Sequence, residues 1–210
     1  MAAIEGMDDP HRNGRPPEPR SDEALMLSFR DGDARAFEEL VSRHRRGLFN
    51  FLLRSVQNRS RAEELLQEVF LRVVRSKDRY ERTAKLTTWL YTIARNLCVD
   101  ESRRAKFRRT TSLDTPRKGV DDEGPAMVET VAADEVPTDE RAAAPQIRQR
   151  IARAIDLLPE DQREVFLMRQ INGLSFKEIG DIVGAPENTV KSRMRYALEK
   201  LRQDLADFNL

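Results

Sequence analysis

The stretch from Thr110 to Pro145 constrains the fold more than any other part of the sequence. It holds nine acidic and three basic residues, a net charge of −6, together with Pro116, Pro125, Pro137, Pro145, Gly119 and Gly124. Its apolar residues recur at neither helical nor strand spacing, so it has no face to bury. A structureless loop of this length inside one compact domain would be unusual, which favours a tether between domains. The chain is therefore expected to divide into two folded stretches, 21–109 and 146–210, joined by a flexible acidic linker over 110–145. Residues 1–20 carry Pro10, Pro16, Pro17 and Pro19 with almost no periodic apolar residue, and are expected to form a disordered tail.

Both folded stretches read as helix. Phe37, Leu40, Val41, His44, Leu48 and Leu52 recur at the spacing of one buried helix face. The break at Gln57-Asn58-Arg59 ends that element, and Ser60 with Glu63 predicts a capping box at the start of the next. Leu66, Val69, Phe70 and Val73 form its stripe, and after a polar stretch Leu86, Trp89, Leu90, Ile93 and Leu97 form another. Ile147, Ile151, Ala154, Ile155 and Leu158 repeat the pattern beyond the tether. Pro159 is suited to open a further helix through Val165 and Phe166, which Gly173 is suited to end. No alternating strand signal exceeds a few residues. The expected fold class is all-α, with two small helical domains. Aromatics are only 6% of residues against 35% charged, so each core must come from Leu, Ile, Val and Phe on one helix face.

Several function classes fall away. A single cysteine, Cys98, excludes an internal disulfide framework. No apolar run approaches the roughly 20 residues of a membrane span, and the N-terminus lacks an apolar signal core, so a cytoplasmic chain is expected. His11 and His44 are too far apart to suggest a zinc site. No phosphate loop, nucleophile motif or paired-carboxylate arrangement stands out; no catalytic residue, metal or cofactor is assigned, and the chain is not expected to be an enzyme. The net charge of +1 carries no case for nucleic acid. Its distribution does: Arg95 to Arg109 has six basic residues against two acidic, and Glu187 to Arg202 five against two.

The second basic block belongs to the sharpest motif, Ser175 to Leu201. Ser175 and Glu178 form a capping box, opening a short helix with Ile179, Ile182 and Val183 inward. Gly180 lets a neighbouring helix approach, Gly184 permits a sharp turn, and Pro186 starts a helix whose Val190 points back inward. This is a helix-turn-helix whose second helix suits the major groove. Lys191, Ser192, Arg193, Arg195 and Tyr196 lie between its buried positions. Arg and Lys can read guanine edges, and Ser can serve bases or phosphates.

With its lead-in LLPEDQREVFLMRQINGLSFKEIGDIV, this segment resembles the C-terminal DNA-binding domain of extracytoplasmic-function sigma factors, of the sigma-70 family. The resemblance implies that 146–210 reads the upstream, minus-thirty-five promoter element. Lys191, Ser192, Arg195 and Tyr196 would contact bases and backbone, and Thr189 a phosphate. Asn188 stands where family members commonly have Gly, a mild departure because Asn tolerates strained backbone. Ser21 to Arg109 resembles the family's other domain through AEELLQEVFLRVVR and WLYTIARNLCVDESRRAKFRR. Glu64, Gln67, Glu68 and Leu71 share one helix face, which in the family docks on a coiled coil of the polymerase's largest subunit. Arg95, Asn96, Val99, Asp100, Arg103 and Arg104 fall along one side of the following helix. There Arg can lie across phosphates while Asn reaches a base edge; the family uses this helix for the downstream, minus-ten element. The loop Lys77 to Lys85 would hold a flipped base, with Tyr80 as a stacking surface or as part of the bundle.

The resemblance thus implies a sigma factor serving a stress or signal response. Its partners would be RNA polymerase core (coiled coil and flap), promoter DNA and an anti-sigma factor able to hold it at the inner membrane. The rival reading, a stand-alone helix-turn-helix regulator, would need a dimer face or a signal-receiving domain. It would also shift promoter DNA without core polymerase.

Overall fold

The computed structural model describes residues 20–80, 85–111 and 138–206, which contain eight α-helices and no strand. Residues 1–19 of the expected disordered tail (1–20), loop residues 81–84 and residues 112–137 of the tether lie outside the described residues, while Arg20, the last of the tail, pairs with Asp33 and Glu39.

Ser21 caps α1 (Asp22–Arg30), its hydroxyl accepting from the Ala24 amide at 3.2 Å. Asp33 caps α2 (Ala34–Val56) by accepting from the amides of Arg35 and Ala36. Gln57, with φ of 54°, ends α2 in the left-handed conformation. The cap of α3 (Arg59–Ser76) is Asn58, whose side chain accepts from the Arg61 amide at 2.8 Å. The predicted capping box is therefore displaced. Ser60 already lies inside the helix, and Glu63 pairs with Arg59 at 3.1 Å. Asn is as good a cap as Ser, and the left-handed Gln57 decides between them by turning the chain immediately before Asn58. A 3-10 turn over Lys77–Arg79 follows, then α4 (Leu86–Thr111).

Beyond the tether, α5 runs Thr138–Asp156, so its helix begins eight residues before the expected boundary at Gln146 and continues through Pro145. Pro159 occupies the cap position of α6 (Glu160–Gln170). Gly173, with φ of 66°, lies in the turn after it, before α7 (Phe176–Val183) and α8 (Glu187–Asp204).

Helices α1–α4 form one bundle and α5–α8 another. The two also dock: α2 meets α6, and α4 meets α7. A single apolar cluster runs through both, from Leu25, Leu48, Phe51, Leu52 and Val69 to Val165, Leu167, Met168, Ile179 and Val190. The docking explains burial that no single stripe predicts. Phe51, Leu52, Leu53 and Arg54 are consecutive and all buried, because this part of α2 is covered on every side.

The cap assignment has a direct check. Asn58→Ala should cost about 1 kcal/mol of stability, whereas Ser60→Ala should stay within about 0.5 kcal/mol of the parent. Urea denaturation of the two variants would read the difference as a shift in midpoint.

Candidate functional site

The helix-turn-helix is built as its residues require. The Ser175 hydroxyl accepts from the Glu178 amide at 3.2 Å while the Glu178 carboxylate accepts from the Ser175 amide at 2.8 Å, closing the capping box. Gly184 ends α7 with φ of 68°. A Cβ on Gly180 would lie 2.8 Å from the carbonyl oxygen of Ala185, so only glycine lets the turn approach this closely. Val190, Met194, Ala197 and Leu201 face inward on α8. Thr189, Lys191, Ser192, Arg195 and Tyr196 are all exposed on the remaining surface.

That outer surface is partly pre-positioned. Lys191 Nζ lies 2.7 Å from Glu187 Oε1 and 6.0 Å from the centre of the Phe176 ring. The Arg195 guanidinium stands 4.9 Å over the Tyr196 ring, and the Ser192 hydroxyl donates to the Asn188 carbonyl at 3.0 Å. Arg193 is set apart from them. It is half-buried and turned to α6, 3.2 Å from Asp161 Oδ2 and 4.0 Å from Glu164 Oε1.

On α3, Ala62, Leu65, Val69 and Val73 are buried, leaving Glu64, Gln67 and Leu71 exposed and Glu68 half-exposed beside them. Leu71 and Val74 are 47% and 39% exposed, an apolar pair within an otherwise polar face. Glu68 pairs with Arg72 at 3.0 Å and Arg75 at 4.0 Å. Glu64 pairs with Arg61, which also donates to Glu101 of α4 at 2.6 Å.

The basic side of α4 is divided. Asn96, Asp100 and Arg103 are exposed, with Arg103 4.0 Å from Asp100. Arg104, also exposed, borders a polar cleft shared with Arg61, Glu64, Glu101 and Glu160. Arg95 lies in the seam between the bundles, donating to Glu164 through Nε at 2.8 Å and Nη2 at 3.4 Å. Burial raises the pKa of the Glu164 carboxyl, and the Arg95 hydrogen bond opposes the rise. Tyr80 is 6% exposed, its ring centre 5.5 Å from that of Trp89, so of its two expected placements the structure has the one packed in the bundle.

The seam also holds residues that local pattern does not single out. Arg54, 8% exposed, donates to Asp156 at 2.7 Å; Lys85 pairs with Glu178 at 3.0 Å; and Tyr91 is buried against Phe51, with ring centres 5.5 Å apart. Each pairing joins residues far apart in sequence. The one visible signal is a buried-type position, such as Tyr91, off the expected stripe.

Comparison with known proteins matches both parts of the chain. The family models Sigma-70 region 2 and Sigma-70, region 4 match residues 40–108 and 148–201. The RNA polymerase sigma factor CarQ of Myxococcus xanthus is 35% identical over 185 residues, 88% of this chain and 98% of that protein. The ECF RNA polymerase sigma factor SigW of Bacillus subtilis is 33% identical over 182 residues, 87% of this chain and 95% of that one. A similar fold occurs in the sigma factor RpoE of Bartonella quintana, solved with the anti-sigma factor NepR. Its TM-score is 0.64 at 22% identity, over 81% of this chain and 96% of that one.

The close approach at Gly180 sets an expectation for the second bundle. Gly180→Ala forces a methyl against backbone, and should destabilise by about 1–3 kcal/mol. Thermal denaturation followed by circular dichroism would register it as a lowered Tm.

Proposed function

This chain belongs to the extracytoplasmic-function branch of the sigma-70 family, and from that premise we propose how its exposed faces divide the work of initiation. It binds RNA polymerase core and directs promoter-specific transcription initiation, a recognition role in which the polymerase makes the bonds. Residues 21–109 serve as the core-binding and minus-ten domain and 146–210 as the minus-thirty-five domain.

The observation that carries this division is the coexistence of two unlike open faces on separate bundles. The outer face of α8 is basic and polar, with Thr189, Lys191, Ser192, Arg195 and Tyr196 exposed, and suits DNA. The face of α3 pairs exposed Leu71 and Val74 with Gln67 and Glu68, and suits a protein surface carrying basic groups. Asn96, Asp100 and Arg103 are the open residues of α4 and are assigned to the minus-ten element, together with Arg104. Arg95, given to the same element by the resemblance, is held in the seam by Glu164. Tyr80 supports that site by holding Trp89 rather than by offering a free ring. Arg193, held by α6, supports the placement of α8 more than it reads DNA.

A stand-alone regulator leaves the α3 face without a purpose. Each bundle alone makes few phosphate contacts and should bind DNA weakly. Core polymerase, by fixing both, raises the effective concentration of the second contact. An anti-sigma factor is a further partner on this reading; the RpoE neighbour was solved with one. Among the described residues no helix is long and apolar enough to cross a membrane, so attachment to the inner membrane would run through such a partner.

Glu68→Lys should abolish core binding while the chain stays folded by circular dichroism, because like charges at an interface cost several kcal/mol, about 3 or more. Undiminished core affinity would remove the α3 assignment. For DNA, Arg195→Ala should cost about 1–3 kcal/mol and relax preference at one upstream position. Asn96→Ala should instead impair use of the downstream element alone. Holoenzyme binding to single-base promoter variants tests both, and an exchange of the two effects would overturn the assignment of the bundles.

A further inference from the structure

We infer that Phe107, near the end of α4, adds one contact to the downstream DNA-reading face: its ring packs on the C5-methyl group of a thymine in the duplex that borders the minus-ten element on its upstream side. The inference rests on the assignment of α4 to the minus-ten element made above.

A lone exposed apolar side chain is ordinary on a protein surface. The exposed aromatics of this chain, however, are not scattered. Of the described Phe, Tyr and Trp residues only two are exposed, Phe107 at 72% and Tyr196 at 49%. Phe107 lies on α4 and Tyr196 on α8, the two helices assigned to DNA. Every other described aromatic ring is buried in the apolar cluster or packed against it.

Phe107 also keeps the register of its face. At about 100° per residue, Asn96, Asp100, Arg103 and Phe107 fall within about 60° of one another around α4. With a rise of about 1.5 Å per residue, the strip from Asn96 to Phe107 is about 17 Å long, or about five base-pair steps of roughly 3.4 Å. One turn before the ring stands Arg103, its side chain 78% exposed and 4.0 Å from Asp100, a cation open to phosphate. The chain leaves α4 at Thr111 and passes through the tether to the bundle assigned to the upstream element. Phe107 therefore occupies the end of the strip nearer the duplex that joins the two elements.

The chemistry of the ring selects its partner. Base edges in the major groove offer hydrogen-bond donors and acceptors and one apolar group, the thymine methyl. A phenyl ring carries no polar atom, so among base edges it gains only by covering that methyl. Burying one group of this size corresponds to about a fourfold change in Kd.

The test binds holoenzyme to a promoter it transcribes, with thymine and then uracil at each duplex position bordering the downstream element. Uracil lacks only the methyl group. The parent should bind about fourfold more weakly with uracil at one position. Phe107→Ala should lose about as much on the thymine promoter and no longer distinguish the two bases there. Phe107→Leu, still apolar, should keep most of the distinction. A parent indifferent to uracil at every bordering position would overturn the contact, as would Phe107→Ala with parental sensitivity to it. So would a loss in Phe107→Ala that falls on all DNA alike, which marks a sugar contact, or one that appears as weakened core affinity, which marks a protein contact. Circular dichroism verifies that each variant is folded, and Phe107→Gln replaces Phe107→Ala should the latter not fold. Failure of the α4 assignment is separable: Asn96→Ala would then leave downstream preference intact. With that preference impaired, a silent Phe107→Ala removes the methyl contact alone.

Discussion

Nearly everything in the molecule packs on α2, directly or at one remove. Helices α1, α3 and α4 surround it within the first bundle, and α6 reaches it from the second. Leu48 and Leu52 are wholly buried and Phe51 is 1% exposed, meeting Tyr91 edge-on. Burying side chains of this size contributes about 1.5–3 kcal/mol each, and the same residues serve both bundles. The seam is therefore an extension of the first core rather than a separate adhesion. It borrows its apolar surface from residues that the first bundle must bury in any case.

Features decided within one helix are legible in the sequence. The capping box at Ser175, the turn at Gly184, the inward Val190 and the outward Lys191 and Arg195 all follow from spacing and local chemistry, and the structure has them. Periodicity turns Trp89 and Ile93 inward on α4, yet they are only half-buried, while Tyr91 and Ala94 are buried. The difference arises because α4 meets a second partner, α7, on another side. A single stripe describes a helix with one neighbour. Asn58 against Ser60 is a contest between two good caps, settled by the backbone of Gln57. The early start of α5 shows the complementary limit: the acidic, proline-bearing composition around it marks a tether without marking where helix resumes.

Charge shows the same division. The two basic blocks stand out by count, yet the structure treats their members differently. Arg95 is drawn into the seam by Glu164 and Arg193 is held against α6 by Asp161, while Arg103 and Arg195 are left exposed. Both of these acidic partners lie on α6, whose acidic first turn reads from sequence only as a favourable helix start. Arg95 and Glu164 are separated by the tether and cannot be matched by periodicity, and the sequence alone leaves Arg95 and Asn96 indistinguishable as candidates.

The capping box at the start of α7 has a mechanical consequence. Glu178 touches the first bundle through Lys85, but it also closes its own ring of hydrogen bonds with Ser175. The turn that follows is held by Ala185 donating to Gly180, again within the motif. Removing the first bundle therefore leaves the helix-turn-helix with its internal bonding intact. It is a self-contained cartridge that can be carried to a new position without being rebuilt. On the DNA assignment proposed above, spacing between two DNA elements can then be met by translating one reader relative to the other, with neither deformed to fit.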